Sequence, residues 1–277
     1  MKSIYPKAFM LFSLSALVAC SGGSSGSGPD NTGFSTLPIS SNVTLSGLQT
    51  TAILDSLGNE LLGATTSSQE VVLRTDVNGD VARVTVRSPI GPLTVDCGQG
   101  SNICSEGGSV FGNDTNGSSF IYVNNGEGDL EFTSYGVWVR DSFDVGGTAI
   151  GFPSPNRDRL PASAVYRGGA FGLAQDDAGV EVIESEVTVT TDFSTADFET
   201  SDSRVVVNGV ATTAVPKWNM SGALSVNGTS LSGSVSGTGL NGTVEGQFFG
   251  LNGEEVGGVL SATGTGGAYV GAFGAAR

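Results

Sequence analysis

Histidine is missing altogether from the 277 residues. That absence removes the commonest general base, the usual zinc ligand and the usual haem ligand together. Methionine occurs three times, and once a leader carrying Met1 and Met10 is removed only Met220 is left to ligate a haem. No cofactor is therefore expected, haem or zinc least of all. Basic side chains are also few, 12 Lys and Arg against 27 Asp and Glu, for a net charge of −15. Such a chain repels phosphates, so nucleic acid is excluded as a partner, and the charge match for a protein ligand is a basic patch. Apolar runs are short: Ala8–Val18 (AFMLFSLSALV) is about half the ~20 residues a membrane-spanning helix needs.

That run nevertheless has a setting. Lys2 and Lys7 precede it, and Leu17, Val18, Ala19 and Cys20 follow, the layout of an exported leader with its cleavage site. The stretch LVAC resembles the bacterial lipobox. The resemblance implies removal of residues 1–19 and acylation of Cys20, which anchors the chain to lipid without crossing it; more than one acyl chain gives stable attachment. Ser21, where inner-membrane retention favours aspartate, directs the expectation to the outer membrane. The next stretch, SGGSSGSGPDNTG (Ser21–Gly33), has no side chain that can pack, so residues 20–39 read as a flexible tether. Its G-x-S-x-G match, Gly22–Gly26, lacks the flanking strand and helix and the histidine of a hydrolase elbow.

Apart from Cys20, the cysteines are Cys97 and Cys104, in CGQGSNIC. In an oxidising compartment the expectation is a local disulfide between them; two free thiols or an incomplete metal pair are the alternatives. Glycine is the opposite case, at 43 residues, about twice the usual share, but without a collagen period. The glycines punctuate alternating apolar stretches, which points to many short strands joined by tight turns. Glu70–Ser88 (EVVLRTDVNGDVARVTVRS) shows it best, with two β-rich runs joined through Asn78 and Gly79, the pair that favours a type I′ hairpin. Asp76, Asn78 and Asp80 lack the spacing and the glutamate of a calcium loop. Gln49–Gly63 is left open between a short helix and a strand pair. The fold class is all-β, a sandwich or barrel.

Gly151–Ala164 (GFPSPNRDRLPASA) is proline-rich and polar, and reads as a connector between units at 40–155 and 160–277. Gly237–Gly242 matches G-x-G-x-x-G, but the β-branched and aromatic residues after it offer no helix N-terminus for a pyrophosphate. An enzyme would need a carboxylate pair such as Asp176 with Asp177 or Glu254 with Glu255 for acid–base work. Neighbours on a strand point to opposite faces, so neither pair brackets a substrate, and no catalytic residue is assigned.

The C-terminal half carries a resemblance. Gly250–Leu260 (GLNGEEVGGVL), preceded by Phe248 and Phe249 and followed by Gly271–Arg277 (GAFGAAR), resembles the closing strands of the transferrin-binding protein B type of β-barrel. Leu160–Leu173 (LPASAVYRGGAFGL) resembles that family's first barrel strand, Val187–Glu199 its second and third, and Tyr135–Arg140 (YGVWVR) the aromatic strand of its handle. Leu251 and Ala276 depart from the family pattern. The resemblance implies an N-terminal β-rich handle domain, residues 40–155, followed by an eight-stranded antiparallel barrel, residues 160–277, in a single lobe. A closed barrel loses its edges only if the last strand pairs with the first, so the C-terminus is expected to be ordered.

The function so implied is that of a non-enzymatic outer-membrane lipoprotein at the cell surface that binds a protein or nutrient ligand, an iron carrier being one such ligand. An outer-membrane translocon or a TonB-dependent receptor is the implied accessory partner. A structural or adhesive lipoprotein without a role in nutrient capture is the alternative.

Overall fold

The computed structural model describes residues 33–54, 61–78, 80–88, 91–98, 103–104, 110–113, 120–124, 130–140, 144–207 and 210–277. Among them there is no α-helix; three short 3-10 turns, Phe34–Thr36, Arg157–Arg159 and Pro216–Trp218, punctuate strands. The strands form two sheets, one on either side of the proline-rich connector.

The first, the handle sheet, contains β1 (Asn42–Leu54), β2 (Leu61–Thr75), β3 (Val81–Ser88), β4 (Gly91–Asp96), β5 (Ile103–Cys104), β6 (Val110–Asn113), β7 (Phe120–Asn124), β8 (Thr133–Arg140) and β9 (Asp144–Gly151). Its order, β4-β3-β2-β1-β9-β8-β7-β6-β5, joins two meanders through a long-range pairing of β1 with β9. The described parts of Gln49–Gly63, residues 49–54 and 61–63, fall in a strand pair, with Thr50 opposite Thr66 and Leu54 opposite Leu61; residues 55–60 lie outside the described residues. Strand alternation sends Leu45, Val71, Leu73, Val84, Val86 and Val95 to one face, where they pack with Phe34, Trp138 and Ile150.

The two runs on either side of Asn78 pair as a hairpin, with β2 ending at Thr75 and β3 beginning at Val81, wider than a two-residue turn; Gly79 lies outside the described residues. The physical reason is the Asp76 carboxylate, which accepts the backbone N–H groups of Asn78 at 2.7 Å and Asp80 at 3.1 Å and so organises an Asx-type loop.

The second sheet contains β10 (Ala164–Asp176), β11 (Gly179–Thr191), β12 (Thr195–Val207), β13 (Val210–Ala214), β14 (Met220–Asn227), β15 (Ser230–Gly237), β16 (Leu240–Phe249), β17 (Glu255–Gly264) and β18 (Gly267–Ala276). Pairing of β11 with β12 and of β10 with β18 closes eight of these strands into an antiparallel barrel. The ninth, β13, pairs with the far end of β12, at Arg204–Val207, beyond the part of β12 that pairs with β14. The closing seam runs from Arg167 opposite Ala276 to Gln175 opposite Ala268 without a bulge. The C-terminal strand is therefore held on both edges, by β10 and by β17.

Alternation explains the barrel core. Tyr166, Ala170 and Ala174 of β10, Ile183 and Val187 of β11, Phe198 of β12, Val244 and Phe248 of β16, and Tyr269 and Phe273 of β18 point inward and are buried together with Trp218. Phe273 and Phe198 lie with ring centroids 5.0 Å apart, and Phe193 and Phe248 at 4.9 Å. Rings of this size fit because small residues stand beneath them: a Cβ on Gly172 would lie 2.1 Å from the Tyr269 ring.

Candidate functional site

Three barrel strands, β10, β17 and β18, turn their outer faces toward handle strands β1, β8 and β9. Phe171, Val259 and Ala272 of the barrel wall pack with Leu130, Tyr135, Val137 and Ala149 of the handle, and Tyr135 stacks on Phe171 with centroids 6.1 Å apart. A second apolar cluster joins Ala52 and Val145 to Leu173, Ala268 and Val270. Glycine sets how closely the two sheets approach. A Cβ on Gly274 would sit 2.4 Å from the Tyr135 ring, and one on Gly147 would sit 2.3 Å from the Gly271 carbonyl. Glycine thus lets the Tyr135 ring pack directly on β18 and brings the backbones of β9 and β18 into contact. This is why β18 is buried on both faces along most of its length.

Among the described residues the junction has one buried acidic side chain. Glu255 is 3% exposed, at the start of β17 and on the outer face of the barrel. Its carboxylate accepts the backbone N–H of Glu131 at 2.6 Å and of Phe132 at 3.0 Å, both on the segment leading into β8. Burial pushes the Glu255 carboxyl up to about 7, and the two backbone donors only partly oppose that rise. Glu255 is thus a hydrogen-bonded clamp across the junction.

The neighbouring Glu254 faces away and accepts the backbone and side-chain N–H groups of Asn252 at 2.8 and 2.7 Å. The loop is fixed from its other side. Tyr166 Oη donates to the Gly253 carbonyl at 2.7 Å, and Arg277 donates its backbone N–H to the Glu254 carbonyl at 3.2 Å and its Nε to the Gly253 carbonyl at 3.1 Å. The terminal arginine is part of the fold.

The other carboxylate pair also separates. Asp176 pairs with Lys217, which holds its carboxyl below the usual range, while Asp177 is exposed in the β10–β11 turn. The G-x-G-x-x-G stretch spans the β15–β16 hairpin. Met220 is 2% exposed within the barrel core. Cys20 lies outside the described residues. Cys97, directly after β4, is disulfide-bonded; Cys104 ends β5, and its side chain lies outside the described residues. Among the described residues no group of three Cys, Asp or Glu side chains could hold a metal ion, and no helix is long and apolar enough to cross a membrane.

Two surface features escaped the sequence reading. Val207 and Val210 are 50% and 61% exposed, flanking the β12–β13 hairpin that overhangs the barrel. On the wall below it, Glu186, Asp197 and Glu199 alternate with inward apolar residues and are exposed. The signal for the first was the apolar run at Val205–Val207, longer than strict alternation needs.

An eight-stranded closed barrel with its last strand beside its first, fixed to a curled sheet, is the arrangement against which residues 160–277 can be compared. Those residues match a family model described as the C-lobe and N-lobe beta barrels of Tf-binding protein B. Over residues 160–277 the chain is similar to the transferrin-binding protein B barrel family. Around this barrel, similar solved structures extend over the handle as well. The haemoglobin receptor HpuA from Kingella denitrificans, in its apo form, is 17% identical with a TM-score of 0.47, covering 86% of this chain and 86% of that one. Transferrin binding protein B from serogroup B Neisseria meningitidis is 12% identical with a TM-score of 0.40, covering 87% of this chain and 78% of that one. The N-lobe of lactoferrin binding protein B from Moraxella bovis is 11% identical with a TM-score of 0.35, covering 56% of this chain and 78% of that one. No curated protein sequence matches the chain. The matched segment spans the whole closed barrel, and its closing strand is one that the handle covers.

Proposed function

We propose that the chain is an outer-membrane lipoprotein, anchored by acyl groups on Cys20 and displayed at the cell surface, that captures a protein ligand without catalysis. The observation that carries this reading is the transferrin-binding protein B-type barrel of residues 160–277, held against the handle by the Glu255 clamp and the glycine-lined junction. A rigid scaffold of this kind leaves recognition to its loops and overhanging hairpins. Val207 and Val210 supply an apolar anchor at one end of β12, and Glu186, Asp197 and Glu199 give the wall farther along that strand an acidic character, which favours a ligand with a basic patch. An iron-carrying host protein is the first class to test.

The test is capture of haemoglobin, transferrin or lactoferrin by the immobilised chain, with each applied in turn over a range of salt. One of them is expected to bind saturably and more weakly as salt rises. Replacing Val207→Ser and Val210→Ser together is expected to weaken that binding at least ten-fold without moving the melting temperature. Failure of all three carriers to bind removes the iron-carrier reading. Loss of capture only when the barrel unfolds removes the hairpin from it.

Cys97 and Cys104 are proposed to form one disulfide at the β4–β5 end of the handle. Intact mass should then rise by two protons on reduction. The double substitution Cys97→Ser/Cys104→Ser should cost about 2–3 kcal/mol, the scale for so short a loop, as read from chemical denaturation.

A further inference from the structure

A cleft of about 440 Å³ opens on the solvent face of the handle sheet, lined by Ser40, Ser41, Asn42, Val72, Arg74, Arg83 and Thr85. Its floor is one transverse row of the sheet, in which Asn42 stands opposite Arg74, Arg74 opposite Arg83, and Arg83 opposite Asp96. Two like charges directly opposite one another repel, so the pairing needs a counter-charge. Arg83 has one, since it forms an ion pair with Asp96. Arg74 is exposed, and among the described residues no carboxylate pairs with it.

The wall beside Arg74 is built and fixed. Ser40 adopts a left-handed backbone, with φ of 48°, a conformation uncommon for a residue other than glycine. It is held there by its own N–H, donated to the Asp76 carbonyl at 2.7 Å, and by the Ser41 N–H, donated to Thr75 Oγ1 at 3.0 Å. The Thr75 hydroxyl in turn donates to the Pro38 carbonyl at 2.5 Å. The serine, asparagine and threonine side chains of the lining add neutral donors and acceptors around a single unmatched positive charge.

We propose that this cleft is a binding site for a carboxylate carried on a small polar group, with Arg74 as the bidentate partner. The planar guanidinium fork fits a carboxylate, and one uncompensated charge suits a monoanion better than a dianionic phosphate. Ser40, Ser41, Asn42 and Thr85 are placed to hydrogen-bond the hydroxyl or amide substituents beside that carboxylate. Two sources share this chemistry: a sugar acid and an acidic amino-acid side chain. The site lies on handle strands β1–β3 and stands independently of the hairpin surface described above.

The experiment titrates the whole ¹⁵N-labelled chain, at constant ionic strength, with glucuronate, with N-acetylglutamate amide and with sulfate. Either carboxylate is expected to give saturable shifts confined to the amides around Ser40–Asn42, Arg74 and Thr85, and the tighter of the two identifies the source. Arg74→Gln is expected to lower that affinity at least ten-fold while leaving the rest of the spectrum in place, and Arg74→Lys to recover only part of it. Sulfate binding as tightly as either carboxylate overturns the proposal. So do shifts that never saturate, or that persist unchanged in Arg74→Gln.

Discussion

Truncation after Gly266, which removes β18, leaves the chain without a cooperative unfolding transition. The loss is larger than that of an ordinary terminal strand because β18 has three partners at once. It pairs with β10 along one edge and with β17 along the other, so its removal exposes the backbone donors and acceptors of both. It takes Tyr269 and Phe273 out of the barrel core, and Val270 and Ala272 out of the apolar clusters that join barrel to handle. A graded version is Phe273→Ala. The Phe273 side chain is fully buried against Phe198, and its truncation should cost about 3–5 kcal/mol through lost burial and the cavity left behind. Circular dichroism and denaturant titration read both. A truncated chain that still melts cooperatively at the full-length temperature would mean that β18 is an accessory strand.

Stability should rise as pH falls from 8 to 5.5, the reverse of the usual behaviour of paired carboxylates. The cause is Glu255. Burial raises its folded-state value from 4.5 to about 7, so the protonated form is favoured by folding. The stabilisation is fully present below the unfolded value and is lost as pH rises through the folded one, which gives about 2 kcal/mol between pH 8 and 5.5. Asp176 and Asp192 have lowered values and act in the opposite direction, but only below about 3.8. No histidine titrates in the window, so the slope can be attributed to one side chain. Glu255→Gln should abolish it. Glu255→Ala, which leaves the Glu131 and Phe132 N–H groups without their acceptor, should destabilise the chain by about 1–3 kcal/mol at pH 5.5, where the wild-type carboxyl is protonated. A stability that falls on acidification across this range would contradict the burial of Glu255.

The barrel was legible in the sequence because its pairings are local or carried by distinctive residues. Val187–Glu199 contains both arms of the β11–β12 hairpin, and the aromatic and glycine pattern of Leu160–Leu173 and Gly271–Arg277 marked the two strands that meet at the seam. The handle's order was not legible. Its joint is the pairing of β1 with β9, about a hundred residues apart, and no local pattern specifies such a contact. Glu255 was read only as one of a charged pair, because a glutamate beside a turn is ordinarily solvated; its burial depends on a segment 123 residues earlier in the chain. Gly172 of β10 makes room for the inward Tyr269 ring, whereas Gly274 of β18 makes room for Tyr135 of the other sheet, a contact that no local pattern specifies. The run Val205–Val207 ends β12, and Val210–Ala214 forms a ninth strand outside the barrel.

Hydrogen exchange at the backbone amides of residues 268–276 measures the closing seam directly. If the C-terminal strand is locked between β10 and β17 beneath the handle, these amides exchange only through global unfolding, as slowly as those at the centres of β15 and β16. Exchange on the timescale of a frayed terminus, while β15 and β16 remain protected, would show that the barrel is open at β18.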